Sequence, residues 1–449
     1  MKRKLIRIVI VLLVLALPLI AWRMFLAHVI NKQLAEIRSA GLPANGEELN
    51  RWYAPVPDNQ NAAFVLTQAF AFRRLYPDSR SNLIFHFKLP KRAEALSPEQ
   101  TELLNGYIAL NEARLNKADE ALTLSASRYP IDCTLLMNTL LPHLGWLDEI
   151  AELHQFSACI AIEAGSAAFA SSNIVMMLAL ARTLDNEPLL ISQLVRLKLV
   201  GRAFATLERR ASAGAFSSVE IANLAAAFKL THATNIGARA LIGERAMTIP
   251  YFRMTRAEAG RINPSKNGDD PKKDSPAPYN GPAILKLIGY YELDYGSYLL
   301  AMRKAIALLS NAPPENLRAG KYLGGVGEAS TQRQRTLSGL LLSSYAGVPR
   351  RENEAIATQR LALAALDVES FRNETGRLPE NLAELSPKYF EELPKDPFTG
   401  LELKYRRTEK GYVIYSVGPD QQDNGGLEKA DKKQSDDKKS YDITFTVER

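Results

Sequence analysis

Gly376-Arg377-Leu378-Pro379, Leu393-Pro394-Lys395-Asp396-Pro397-Phe398-Thr399-Gly400, Tyr415-Ser416-Val417-Gly418-Pro419-Asp420-Gln421-Gln422-Asp423-Asn424-Gly425-Gly426 and Asp442-Ile443 punctuate the C-terminal part of this chain in a fixed order. Ahead of them Ala357, Leu361, Ala364, Val368 and Phe371 recur at spacings of four and three, which is one apolar stripe on a helix. Leu363 and Leu366 widen that face, so the helix expected over 353–374 packs on a sheet. Gly376 supplies its left-handed C-cap. Pro379 begins a short second helix through Leu385. In Asp396-Pro397 the carboxylate accepts a backbone N–H and the proline sets the next φ, a turn that Gly400 closes. Leu401, Leu403 and Tyr405 alternate with polar residues as in a half-buried strand. Lys410-Gly411 reverses the chain into a strand from Tyr412 to Val417, and Ile443, Phe445 and Val447 alternate again. Three antiparallel strands against one long helix make a sufficient core for a small α+β domain.

This succession of helix, LP turn, DPF-G turn, strands and Gly/Asp-rich loop resembles the soluble domain of the major pseudopilin of bacterial type II secretion systems, over about residues 353–449. In that family the loop after an SLG-x-DG-x-x-GG run, ending at a DI strand start, holds structural calcium. By position Asp420 matches the aspartate of the first motif and Asp442 that of the second, with Asp423 a further acid nearby. The resemblance therefore implies calcium on Asp420, Asp423 and Asp442, an ion that wants many oxygen ligands at flexible spacing. The loop here also carries Lys429, Lys432, Lys433, Lys438 and Lys439 against Glu428, Asp431, Asp436 and Asp437. Those lysines weaken the field for a dication, and a solvated, charge-mixed loop is the competing reading. A pseudopilin also begins with a processing glycine followed by a phenylalanine and a glutamate, and residues 1–30 contain neither glycine nor glutamate.

At 449 residues, 46% hydrophobic and 23% charged, the chain has the composition and length of two or three globular domains. Of its seven excess positive charges, five lie within residues 1–28 as Lys2, Arg3, Lys4, Arg7 and Arg23. The remainder is nearly neutral and lacks a basic stripe interleaved with aromatics, which argues against nucleic acid as a partner. Ile8 to Trp22 is free of charge. Leu5-Ile6 before Arg7 and Met24 to Ala27 after Arg23 extend the apolar run, because both arginines can snorkel. Ala21-Trp22-Arg23-Met24 is a poor cleavage site, so the segment reads as an uncleaved single-pass anchor rather than a signal peptide. Its cationic flank places the N-terminus on the cytoplasmic side of the inner membrane and the bulk of the chain outside, in the periplasm.

Glu48-Leu49-Asn50-Arg51-Trp52-Tyr53 followed by Val56-Pro57 and Asn61-Ala62-Ala63 resembles the opening of a group of membrane-anchored bacterial proteins, a likeness that implies no particular activity. Asn45 is positioned to cap a turn of helix at 46–52, and another helix begins near Asn61. Ser97-Pro98-Glu99 caps a further helix with proline at its first position. From there to Tyr251 the pattern is helical, without a repeat. Ala161 to Ala181 reads as one buried helix, since Glu163, Ser171 and Asn173 interrupt its hydrophobicity. The polar stretch 263–282 is a loop or linker. Helices return over 283–310 and 336–345, with the glycine-rich Gly320 to Gly327 between them read as a surface loop.

No GxSxG, HExxH, SxxK or paired-carboxylate arrangement stands out. His143 and His154 are eleven residues apart, about 16 Å along a helix, with Asp148, Glu149 and Glu152 between them. A metal site there needs ligands from a second helix, and two polar positions on a partly solvated helix is the simpler account. His28, His86 and His232 are isolated. Cys133 and Cys159 sit in apolar sequence with no metal or redox spacing and read as small buried hydrophobes.

The expected architecture is mostly α. It has an N-terminal membrane helix (1–28), an irregular α-helical domain (29–350) and a small C-terminal α+β domain with a long helix on a three-stranded antiparallel sheet (351–449). The expected function is a non-enzymatic, membrane-anchored envelope protein acting through contact with other envelope proteins, associated with type II secretion or a related assembly. The rival expectation is a ligand-binding protein or hydrolase with a pocket in the helical domain. The sequence is silent on oligomeric state.

Overall fold

Asn45, Asn61, Ser97 and Ser217 each accept a backbone N–H at the start of a helix, and these side-chain caps set much of the segmentation of the chain. The computed structural model describes residues 2–231, 235–253, 283–428 and 441–449. The expected polar loop at 263–282, His232 and the stretch 429–440 lie outside them. The elements in order are α1 (Lys2–Ser39), α2 (Gly46–Trp52), α3 (Ala62–Ala71), α4 (Arg80–Phe85), α5 (Pro98–Leu110), α6 (Glu112–Ala121), α7 (Pro142–Glu163) and α8 (Ala167–Arg182). They continue with α9 (Leu190–Ala213), α10 (Ser218–Leu230), α11 (Ile236–Thr248), α12 (Ala283–Leu287), α13 (Tyr290–Leu309), α14 (Arg318–Gln332), α15 (Thr336–Tyr345) and α16 (Val348–Thr375). The sheet is β1 (Lys404–Thr408), β2 (Gly411–Ser416) and β3 (Ile443–Glu448). The fold is mostly helical with one small sheet, as expected.

The expected long helix on a three-stranded antiparallel sheet is present. Gly376 ends α16 in the left-handed region at φ 73°. The strands form an antiparallel meander in the order β1-β2-β3, with Thr408 opposite Gly411 and Tyr412 opposite Val447. Leu361, Ala364, Ala365 and Val368 of α16 share one core with Tyr412, Ile414, Phe445 and Val447 of the sheet. Several boundaries move: α16 starts at Val348 and not Asn353, and β2 runs Gly411–Ser416 and not Tyr412 to Val417. The short helix begins only at Leu382, because Asn381 is extended and its side chain caps the turn by accepting the Glu384 N–H. Leu401 is exposed, and β1 starts at Lys404.

The same core continues into the helical array through Leu147, Ile174, Leu199, Phe204 and Phe228. The contacts are specific at the free edge of β3, where Thr446 N donates to Glu208 Oε1 at 2.8 Å and Glu448 N to Ser212 Oγ at 3.1 Å. Phe204 meets Phe445 edge to face at 5.2 Å. The boundary expected at 350/351 thus falls inside the first turn of α16, and apolar packing is continuous across it.

Two helical expectations are corrected. Ala161 to Ala181 is two helices, since Ser166 N bonds to Ala161 O at 2.8 Å with Gly165 at φ 69°. That six-to-one closure stops α7, and α8 folds back on it. The glycine-rich run, expected as a loop, is helix α14. Its glycines let two helices approach: a Cβ on Gly327 would lie 2.3 Å from Ser343 Oγ and 2.8 Å from Ser343 N of α15. Gly339 of α15 answers with a similar approach, a Cβ there lying 2.5 Å from Thr331 Oγ1.

Helix α1 does not break at residue 28 but runs on to Ser39. Leu26 is buried, and Ile30, Leu34 and Ile37 join a second core with Leu241 of α11 and Tyr298, Leu299 and Met302 of α13. Ile10, Val14, Leu17, Ile20, Met24 and Phe25 are exposed. Among the described residues, no helix is long and apolar enough to cross a membrane.

The glycines of α14 predict opposite outcomes two residues apart. Gly325 has nothing within 4 Å of where a Cβ would stand, so Gly325→Ala should stabilise by about 0.5–1 kcal/mol through helix propensity alone. Gly327→Ala should destabilise by about 1–3 kcal/mol by overpacking. Denaturant titration of both variants checks the pair.

Glu352, buried in α16, accepts the Gly237 N–H at the start of α11 at 3.0 Å. Burial outweighs that hydrogen bond and raises its carboxyl to about 7. A raised acid favours the fold while protonated. Its contribution is therefore full below the unfolded value near 4.5 and lost as pH climbs through about 7. Glu352→Gln, which stays neutral, should gain on the parent by on the order of 2 kcal/mol between pH 5 and pH 8. Paired melts at the two pH values measure the change.

Candidate functional site

The turn at Asp396 organises the C-terminal loops. Its buried carboxylate accepts the Phe398 N–H and, across to the end of β2, the Val417 N–H, both at 2.8 Å. Gly418 then leaves the sheet at φ 73° into the loop carrying the three candidate calcium ligands. Asp442 is buried and accepts Gly426 N at 2.7 Å and Asn424 N at 3.4 Å. Asp423 accepts Gly425 N and the Tyr415 hydroxyl, each at 3.0 Å. Asp420 is exposed and bonds only locally, to Gln422 N at 3.1 Å.

This donor set folds the loop on itself. Asp442 and Asp423 face the same turn, and burial, with the Asp423 charge adding to it, pushes the Asp442 carboxyl up. The carbonyl of Gly425 accepts from Arg406 at 3.2 Å, and Lys404 Nζ lies 3.9 Å from Asp423. A dication needs converging oxygens free of such donors. Among the described residues no group of three or more His, Cys, Asp or Glu side chains could hold a metal. As arranged, Asp442 and Asp423 each hold backbone N–H groups of the turn, while Asp420 bonds only locally.

The two histidines of α7 are buried, not partly solvated. His143 Nε2 faces Glu187 at 3.0 Å, and its ring stacks on Tyr129 at 4.1 Å. Ser192 donates to the same Glu187 at 2.5 Å. Serine, acid and imidazole are present, but the serine touches the acid and not the base, so nothing activates it as a nucleophile. The group is a buried polar cross-link between α7 and the turn before α9. The acids between the histidines turn elsewhere. Asp148 pairs with Lys198 and Arg202, Glu149 with Arg73 and Arg114, and Glu152 with Arg202.

His154 lies on the wall of a cleft of about 540 Å³ between α5, α6, α7 and α8. Its Nδ1 is 3.0 Å from Asn173 Oδ1, and Asn173 Nδ2 donates to Phe169 O at 2.9 Å. Its Nε2 lies 3.5 Å from Asp119 Oδ1 of α6. Burial lowers the imidazole and raises the Asp119 carboxyl, each opposed by the partner's charge. The cleft sets these groups among Ile160, Phe169 and Met176.

Sequence reasoning noticed the two histidines but missed Asp119, Asn173 and Glu187, which reach them from other elements. Asp119 sits in an ordinary charged helix, Lys117-Ala118-Asp119-Glu120, and carries no local signal. Asn173 did have one: a polar residue inside the apolar run 167–182. The cysteine expectation holds, since Cys133 and Cys159 are free and buried. Burial pushes the Cys159 thiol up to about 11, which disfavours the reactive thiolate.

No family model matches this chain, and no curated protein or solved structure matches it either.

The turn geometry predicts that millimolar calcium leaves the melting temperature of the protein unchanged. A rise of several degrees that Asp442→Asn abolishes would restore the ion.

Proposed function

We propose that this chain is a single-pass, membrane-anchored envelope protein that presents its helical body and sheet beyond the inner membrane for contact with other envelope proteins. The observation that carries the reading is the division of α1. Its second half is built into the body through Leu26, Ile30, Leu34 and Ile37, while Ile10, Val14, Leu17, Ile20, Met24 and Phe25 are left outside it. An apolar helix face with no protein against it is stable in lipid and costly in water. The cationic residues Lys2, Arg3, Lys4 and Arg7 favour the cytoplasmic side for the first turn.

Trp22 and Arg23 suit the membrane boundary. The Trp22 indole N–H donates to Ile288 O at 2.9 Å and Arg23 to Lys286 O at 2.8 Å, so the helix is tied to the body within a turn of the last exposed apolar residues, Met24 and Phe25. Aromatic and basic side chains are favoured at headgroup depth. The body itself has ionisable side chains engaged in structural pairs: Arg202 with Asp148 and Glu152, Arg210 with Glu220, Arg449 with Glu369. That pattern suits a scaffold more than a reaction centre. The link to type II secretion rests on the pseudopilin resemblance of residues 353–449, and calcium enters only through the same resemblance.

Alkaline carbonate extraction tests the anchor. The full chain should stay with the membrane pellet. Val14→Glu with Leu17→Glu places two charges in the apolar stretch, at a cost of about 5 kcal/mol or more at a helix centre, and should move most of the protein to the supernatant. A wild-type chain released by carbonate would refute the proposal.

A further inference from the structure

The cleft beside His154 contains an unusual confrontation of two acceptors. Asn173 Nδ2 is committed as a donor to Phe169 O at 2.9 Å, which fixes its Oδ1 as the atom facing His154. The His154 Nδ1 must then carry the proton and donate to it at 3.0 Å. In a neutral imidazole this leaves Nε2 as a lone-pair acceptor. The atom it faces, Asp119 Oδ1 at 3.5 Å, is an acceptor too. Both atoms are buried, and neither has a hydrogen-bond partner. Two lone pairs opposed at that distance, on atoms that are themselves covered although the Asp119 side chain is 43% exposed, are a deficit of one donor.

We infer that this pair is a recognition site for a small amine, an ammonium group with an apolar body. An ammonium nitrogen about 2.9 Å from each acceptor closes a triangle on the 3.5 Å base and supplies protons to both. The charge is matched, because Glu112 and Asp119 line the cleft and no lysine or arginine does. The volume of about 540 Å³ suits a small organic molecule. Leu115, Ile160, Phe169 and Met176 offer the apolar contact. His154 is 2% exposed and held by Asn173, so the acceptor is fixed before the ligand arrives. Burial of His154 favours its neutral, accepting form. The inference is independent of the membrane anchor.

The test uses the full chain in detergent and three probes with one body: 4-phenylbutylamine, 4-phenylbutanol and 4-phenylbutyrate. Calorimetric titration should give saturable binding of the amine, at least about tenfold weaker binding of the alcohol, and none of the anion. Asp119→Asn should reduce amine affinity about tenfold or more and leave the alcohol unaffected. In case that variant does not fold, nitrogen-15 spectra of the histidine rings in the wild type report directly: the amine should move one nitrogen of His154, Nε2, and spare Nδ1. Equal binding of amine and alcohol, no saturable amine binding, or an Asp119→Asn protein with unchanged amine affinity would overturn the site. So would a His154 that is doubly protonated at neutral pH and indifferent to the amine, since the two groups would then satisfy each other as an ion pair.

Discussion

The outer edge of β3 has backbone N–H groups that no strand pairs, and α9 satisfies them. Glu208 accepts from Thr446 and Ser212 from Glu448, while Arg449 Nε donates to Ala211 O at 2.6 Å. An uncovered edge is a template for pairing with other chains, so covering it with a helix both completes the sheet and joins it to the body. The arrangement is costly for Glu208, whose carboxyl burial raises to about 8 against the pull of Arg92. Arg92 offsets part of that by reaching Glu208, Glu428 and Glu448 together. The remaining C-terminal features follow. With α9 fixed against α7 and α8, α16 is held between the array and the sheet, and the Asp396 turn is fastened to its N-terminal half through Asn353 and Pro397.

Local chemistry made the C-terminal domain legible. Gly376, Asp396 and the Lys410-Gly411 reversal act within a few residues of themselves, so their effect could be read before any tertiary contact was known. The apolar stripe from Ala357 to Phe371 predicted a buried face, though it could not say that a second face of α16 would meet Phe228 and Leu224 of α10. The glycine-rich segment failed for the opposite reason. Isolated glycines lower helix propensity, yet the close approach of α14 and α15 outweighs that penalty, and only the partner residues Ser343, Ala346 and Thr331 reveal it. The histidines show the same limit. Spacing along α7 placed them on a helix, whereas their partners come from α6, α8 and the turn at Glu187, distant in sequence.

Burial of ionisable groups runs through the helical body more than composition suggested. Arg114 is fully buried beside Glu149, and Arg209 reaches the carbonyls of Lys91 and Glu94 as well as Glu163. Such pairs contribute little net stability, but removing one partner is severe because the other charge stays behind. They tie long-range segments to single positions, which a greasy core of interchangeable leucines would not do.

Because α1 is one helix from Lys2 to Ser39, no slack separates its outer half from the core. From Val14 to Ile37 the axis spans about 35 Å at 1.5 Å per residue. A sideways force at its tip would act as on a lever, with Trp22 and Arg23 as the fulcrum and Ile30, Leu34 and Ile37 bearing the load. Pro18 omits one backbone hydrogen bond, so bending would gather there first. Motion of whatever grips that tip would arrive in the second core as strain between α1, α11 and α13, a mechanical route into the body that a flexible tether would have absorbed.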